Sequence, residues 1–224
     1  RNGQIAKSAL SEGGSLSKVN QQIIFALREF GGNNLRKARE IMREALAMYP
    51  NHSILHYNIA LIYAQMGDYD NAYQHFLRAY HLDSNDVLSG LLAVIAGRLT
   101  YRNTDRIVNS ISADFEDIAF ESPVYKEFLL CLLRYLNNVP IESFDFIEQS
   151  KQQTPMFYAL QSVYALMQDN QELAKESFGK LKEIFPNDAV SNIMVELTRF
   201  YKQDLKEVAL ELNEMYKKNT IDMN

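Results

Sequence analysis

Residues 53–86, SILHYNIALIYAQMGDYDNAYQHFLRAYHLDSND, decide the fold. Apolar residues recur at helical spacing on both sides of a Gly-Asp step. They are Ile54, Tyr57, Ala60, Leu61 and Ala64 before it, and Ala72, Phe76, Ala79 and Tyr80 after it. Gly67 can end the first helix with a positive φ, and Asp68 can cap the second. Because helices this short cannot bury an apolar face alone, the pattern predicts a helix pair that stacks on its neighbours.

The same stretch resembles the tetratricopeptide repeat, a helix-turn-helix unit of about 34 residues. The resemblance is carried by Ile59, Ala60, Tyr63, Gly67, Ala72, Phe76 and Ala79. Two residues depart from the family pattern, since His56 stands where Trp is usual and Ser84 where Pro is usual. The resemblance implies an all-α, right-handed superhelical solenoid of about six helix-turn-helix repeats, in which each pair contacts only its neighbours.

The repeat boundaries follow from steps of about 34 residues taken from Ser53 in both directions. Residues 19–52 and 155–188 then carry small or apolar residues at matching positions, whereas the repeats between and after them keep only the periodicity. We predict an N-terminal tail or linker at residues 1–18 and a repeat domain at 19–222. Its six repeats are 19–52, 53–86, 87–120, 121–154, 155–188 and 189–222.

Local signals refine the weaker repeats. In repeat 87–120 the apolar positions of the second helix lie later in the sequence than the repeat period predicts, which indicates a longer turn at 101–104. Ser122-Pro123 and Thr154-Pro155 each read as a helix cap followed by a proline in the first turn. A further helix is expected to begin near Pro140 and to be short, because proline is not tolerated inside a helix.

Length and charge exclude several classes of protein. The chain has 224 residues, a net charge of −5 and 47% hydrophobic residues, enough for one long domain or a repeat array. The acidic balance argues against a nucleic-acid surface, including that of an all-helical RNA-binding repeat. No stretch approaches the roughly 18 uninterrupted apolar residues of a membrane span. Since the chain begins at Arg1, we expect a processed protein or an excised piece, and its compartment stays open between cytoplasm and bacterial periplasm.

No catalytic set is recognisable, so we predict neither an enzyme nor a cofactor. Cys131, the only cysteine, sits in an apolar run and is expected to be buried and inert. His52 and His56 are four residues apart and could face one metal, but no acidic partner lies between them. A loop histidine and a packed histidine are favoured over a metal site. His75 and His81 are isolated in the sequence.

The candidate site comes from the resemblance, because the first helices of such repeats line a concave groove. Most of the corresponding positions are apolar here, which implies a groove covered by a partner helix or extended peptide, another segment of the chain, or a second copy. The expected mid-groove contacts are Tyr57, Leu61, Leu91, Ile95, Tyr125 and Leu129, with Arg98 as the polar selector. Alternatively, a register error of one residue would turn these positions into a core between repeats.

The family's carboxylate clamp for chaperone C-termini is not expected here. Asn58 matches one of its residues, but Ile23, Leu27, Leu88 and Leu92 stand where the remaining polar residues are needed. We therefore predict no recognition of chaperone tails.

Two functions remain from this pattern. The first is a non-enzymatic adaptor or scaffold that holds an apolar helix or extended segment of a partner protein in its groove. The second is a structural segment of a larger repeat protein or multiprotein assembly, such as a bacterial pilus or flagellar-motor accessory scaffold. That second function includes self-association, for example as a homodimer.

Overall fold

The computed structural model describes residues 17–120, 122–137 and 153–184, together with residues 188 and 193. These residues form nine α-helices, a 3-10 turn at Phe115–Asp117 and no strand, which confirms the all-α prediction. The helices are α1 (Ser17–Gly31), α2 (Leu35–Met48), α3 (Ser53–Gln65), α4 (Tyr69–Leu82), α5 (Val87–Leu99), α6 (Asp105–Asp114), α7 (Pro123–Leu136), α8 (Pro155–Met167) and α9 (Gln171–Ile184).

The helices pack in the order of the chain, as in a repeat solenoid. Each of the pairs α1–α2, α3–α4, α5–α6 and α8–α9 is in contact, and α2–α3, α4–α5 and α7–α8 join one pair to the next. The helix predicted near Pro140 lies outside the described residues. So does the repeat predicted at 189–222, apart from Ile193, which is buried. Of the predicted tail, only residues 17 and 18 are described, and they open α1.

The predicted turn chemistry is present. Gly67 has φ 77°, and Asp68 caps α4 by accepting a hydrogen bond from the Asn71 backbone N–H at 3.1 Å. Ser122 caps α7 in the same way, with Pro123 in its first turn. Thr154 accepts from the Phe157 backbone N–H at 3.2 Å before α8. Turn residues and caps are local features, which is why the sequence predicts them well.

The longer turn predicted at 101–104 separates α5 from α6. It includes Tyr101 at φ 60°, a left-handed conformation that suits a chain reversal. Cys131 is 3% exposed on α7, and burial raises the pKa of its thiol to about 11. The prediction of a packed cysteine is thus confirmed, and the raised pKa disfavours the thiolate, which is the reactive form.

Two helices of the array are buried on all sides. Residues 55–64 of α3 and 87–97 of α5 are buried without interruption, whereas α2 and α4 bury only one stripe. An apolar circumference is what a fully enclosed helix requires. Consequently α3 and α5 form the centre of the core, although the sequence placed part of their surface along an open groove.

Candidate functional site

The predicted groove residues form an inner-face set on three successive first helices. Tyr57 and Leu61 lie on α3; Leu91, Ile95 and Arg98 lie on α5; Tyr125 and Leu129 lie on α7. Helices α5 and α7 are in direct contact, and all the apolar members belong to or pack on one hydrophobic cluster. The structure therefore brings the inner-face set together around a single core.

Five members of the inner-face set are inaccessible. The exposed fraction is 2% for Tyr57, 5% for Leu61, 0% for Leu91 and Ile95, and 1% for Leu129. Tyr57 also packs edge-on against Phe76 of α4, with the ring centroids 5.9 Å apart. In this conformation no partner can touch these five side chains. Their partner contact stays a prediction, and it requires a conformation in which this face is open.

Arg98, the predicted polar selector, is engaged within the chain. Its Nη2 donates to the backbone carbonyl of Leu136 at the C-terminus of α7, and its Nε donates to Thr104 Oγ1 at 3.3 Å. Burial lowers the pKa of the guanidinium, opposed by the nearby Tyr135 and Asp105. A guanidinium is a fitting partner here, because carbonyls at a helix C-terminus have no partner within the helix and attract cations. Arg98 therefore joins the ends of α5 and α7 to the start of α6.

Replacing Arg98 by Met is expected to reduce the free energy of unfolding by about 1.5 kcal/mol, the usual contribution of a hydrogen bond to a charged group. Methionine keeps the apolar stem but leaves the Leu136 carbonyl without its donor. Urea unfolding followed by circular dichroism measures the change. Arg106→Met, at an exposed position of α6, is the matched control and should stay within about 0.5 kcal/mol. Equal effects of the two substitutions would show that Arg98 is not a structural link.

Tyr125 is the other partly accessible member. Its ring meets Phe120 edge-on at 6.4 Å between centroids, and its backbone N–H is held by the Ser122 cap. Half-buried aromatic side chains with a polar end are frequent at protein interfaces. Tyr125 is thus the member of the inner-face set best placed to report on a partner.

Asn58, the single match to the carboxylate clamp, is 1% exposed. Its Nδ2 donates to the Ile54 backbone carbonyl at 2.8 Å, and its Oδ1 is buried without a hydrogen-bond partner. At this degree of burial the side chain cannot meet the C-terminal carboxylate of a peptide in this conformation.

A histidine pair was missed by the sequence analysis. His75, expected to be isolated, lies with its Nδ1 3.0 Å from Nδ1 of His56, and His56 Nε2 lies 2.7 Å from the Pro50 backbone carbonyl. Tyr63 lies parallel to the His75 ring at a centroid distance of 5.6 Å. The sequence places one of the two on each helix of the same pair, but whether they meet depends on how the helices are rotated against each other.

Two chemical features are absent from the described part of the chain. No group of three or more His, Cys, Asp or Glu side chains is placed to hold a metal ion there. Nor does any described helix have both the length and the apolar character that crossing a membrane requires.

A comparison with known protein families gives a match to part of the chain. The family model described as "Tetratricopeptide repeat" matches residues 25–87, which span α3, α4 and most of the pair before them. No curated protein sequence matches the chain.

Proposed function

We propose that the chain, whose residues 25–87 match the tetratricopeptide repeat family model, is a non-enzymatic adaptor or scaffold. It holds an apolar helix or extended segment of a partner protein along the face formed by α3, α5 and α7. Repeats of this family are typical protein–protein interaction modules and are not usually catalytic. The observation that carries the proposal is the placement of the inner-face set on successive first helices, around one apolar core.

The burial of that face sets an energetic condition for binding. Each apolar side chain transferred from water to a partner contributes about 1.5–3 kcal/mol before the costs of ordering. Five side chains of the set are already buried, so burying them against a partner contributes no binding free energy unless the chain first opens. If only a small fraction of molecules is open, the apparent affinity falls by that fraction. A partner is therefore expected to bind weakly at first contact and to gain affinity by displacing what covers the face.

A photo-crosslinking amino acid at position 125 is expected to capture the partner segment, since Tyr125 is the partly exposed aromatic of the inner-face set. Mass spectrometry then identifies the crosslinked peptide, which should contain an apolar helical or extended stretch. The matched control carries the same amino acid at position 101, where Tyr101 is 50% exposed in the turn between α5 and α6. Adducts formed equally from both positions, or from position 101 alone, would contradict binding along this face.

A specific observation favours the second function, a structural segment of a larger assembly. Ile24 and Phe25 are adjacent on α1 and are 38% and 51% exposed, and Met48 at the end of α2 is 54% exposed. Large apolar side chains exposed on the first described helix pair suit a contact with another repeat or another copy. Light scattering over a range of concentrations separates the two functions, because a monomer that persists at high concentration argues against self-association.

A further inference from the structure

The His56–His75 pair meets edge to edge. The ring centroids are 5.3 Å apart and the two Nδ1 atoms 3.0 Å apart, with the ring planes 28° from parallel. These two distances are compatible only when both nitrogens lie close to the line between the ring centres. The arrangement is therefore a head-on N–H···N hydrogen bond and not a face-to-face stack.

The positions of the protons follow from the Pro50 carbonyl. A carbonyl oxygen only accepts, so His56 Nε2 at 2.7 Å carries a hydrogen and donates it. A neutral imidazole has one N–H, which leaves His56 Nδ1 as an acceptor. The hydrogen between the two rings then belongs to His75 Nδ1, and His75 Nε2 is unprotonated.

We propose that His56 and His75 form an acid-sensitive latch. With both imidazoles neutral, the chain of hydrogen bonds from His75 to His56 to Pro50 ties α4 to α3 and to the turn between α2 and α3. Protonation of His75 places a charge in a part-buried site, where it loses part of its hydration. If His56 is also protonated, at Nδ1, two N–H donors face each other at 3.0 Å and the hydrogen bond between the rings is lost. The helix pair α3–α4 then loosens in acid.

The surrounding groups favour the neutral pair. The pKa of His75 is lowered to about 4, mainly by burial and in addition by the neighbouring His56, while Asp68, the cap of α4, acts in the opposite direction. Burial also lowers the pKa of His56, against the hydrogen bond to Pro50 and in the same direction as Arg78 on α4. His52, from the turn, accepts a hydrogen bond from the Leu55 backbone N–H at 3.3 Å and caps α3.

The sign of the pH dependence follows by linkage. Between pH 6.5, the ordinary pKa of histidine, and about 4, the unfolded chain binds more protons than the folded one. The contribution of the latch to stability is therefore complete above pH 6.5 and is lost as the pH falls towards 4. Above that window the latch contributes no pH dependence.

Long-range ¹H–¹⁵N spectra of the histidine side chains in the full chain test the latch directly. At pH 7 we expect His56 protonated at Nε2 and His75 protonated at Nδ1, with His75 still neutral at pH 5. The opposite tautomers, or a His75 that titrates near 6.5, would overturn the proposal.

Addition of zinc chloride at pH 7 should leave both signals in place. Matched shifts of both Nδ1 resonances would instead identify a metal-binding pair.

A substitution tests the consequence for stability. Glutamine at position 75 keeps a donor towards His56 but does not titrate. The urea midpoint of the unmodified chain should fall between pH 6.5 and 4.5, and in His75→Gln most of this fall should be absent. His81→Gln, at an exposed position of the same helix, should keep that fall. An undiminished fall in His75→Gln would refute the latch. If that variant does not fold, the spectra of the unmodified chain still decide.

Discussion

Leu91→Asp is expected to unfold the protein rather than only to block a partner. Leu91 is 0% exposed at the centre of α5, which is buried on every side. Removing a buried leucine costs about 2–5 kcal/mol, and an unpaired carboxylate in an apolar core adds a further penalty. The sum approaches the 5–15 kcal/mol that stabilises a typical domain. Circular dichroism should show lost helicity at 25 °C, or a variant recovered only as insoluble protein.

Phe25→Asp is the control for this experiment, because it adds the same charge at an apolar position that is 51% exposed. Surface substitutions usually change the free energy of unfolding by about 0.5 kcal/mol or less. A folded Leu91→Asp with the same urea midpoint as Phe25→Asp would mean that the inner face is open in solution. In that case the groove residues would be accessible as the sequence suggested, and loss of partner capture by Leu91→Asp would report on binding alone.

The helix boundaries were predictable because their signals are local. The step at Gly67-Asp68 encodes a positive φ and a cap within two residues, and Ser122-Pro123 encodes a helix start in the same way. Each of these features depends on the backbone around it and not on the rest of the fold. For this reason the helices that they delimit begin and end where the sequence indicated.

The accessibility of the inner face was not predictable from spacing alone. A 34-residue period assigns residues to a face but does not say what lies opposite that face. A second signal was present, because Ser89 is the single polar side chain among residues 87–97 and the helix has no polar stripe. That composition is typical of an enclosed helix, and it favours the core alternative for side chains such as Leu91 and Ile95.

Contacts between distant residues were the hardest to anticipate. Arg98 ends an apolar helix and reads as an isolated charge, but its acceptor is a backbone carbonyl 38 residues away. Every residue carries such a carbonyl, so no side-chain pattern marks the one that Arg98 meets. The pair of His56 and His75 is 19 residues apart and depends on how α3 is rotated against α4. Each contact links different helices, and in each the polar side chain is hydrogen-bonded to protein instead of to water.

Gly97→Val is expected to reduce the free energy of unfolding by about 3 kcal/mol, at the upper end of the usual cost of overpacking. A Cβ at position 97 would lie 2.7 Å from Thr104 Cγ2 and 3.1 Å from two carbons of the Tyr73 ring. Neither neighbour can easily move. Thr104 is 3% exposed and accepts a hydrogen bond from Arg98, while the Tyr73 ring lies 4.5 Å from the Arg102 guanidinium, which pairs with Asp70.

The matched control is Gly179→Val on α9, where a Cβ would meet nothing within 4 Å. Valine and glycine differ by only a few tenths of a kcal/mol in helix propensity, so this variant should stay within about 0.5 kcal/mol of the unmodified chain. Urea unfolding of both variants compares the two sites with the same added atoms. A Gly97→Val protein as stable as Gly179→Val would mean that α5 does not approach α4 and α6 as closely as the structure shows. The close approach at Gly97 is what lets α5 sit enclosed between its neighbours, so that result would also reopen the question of whether the inner face is covered.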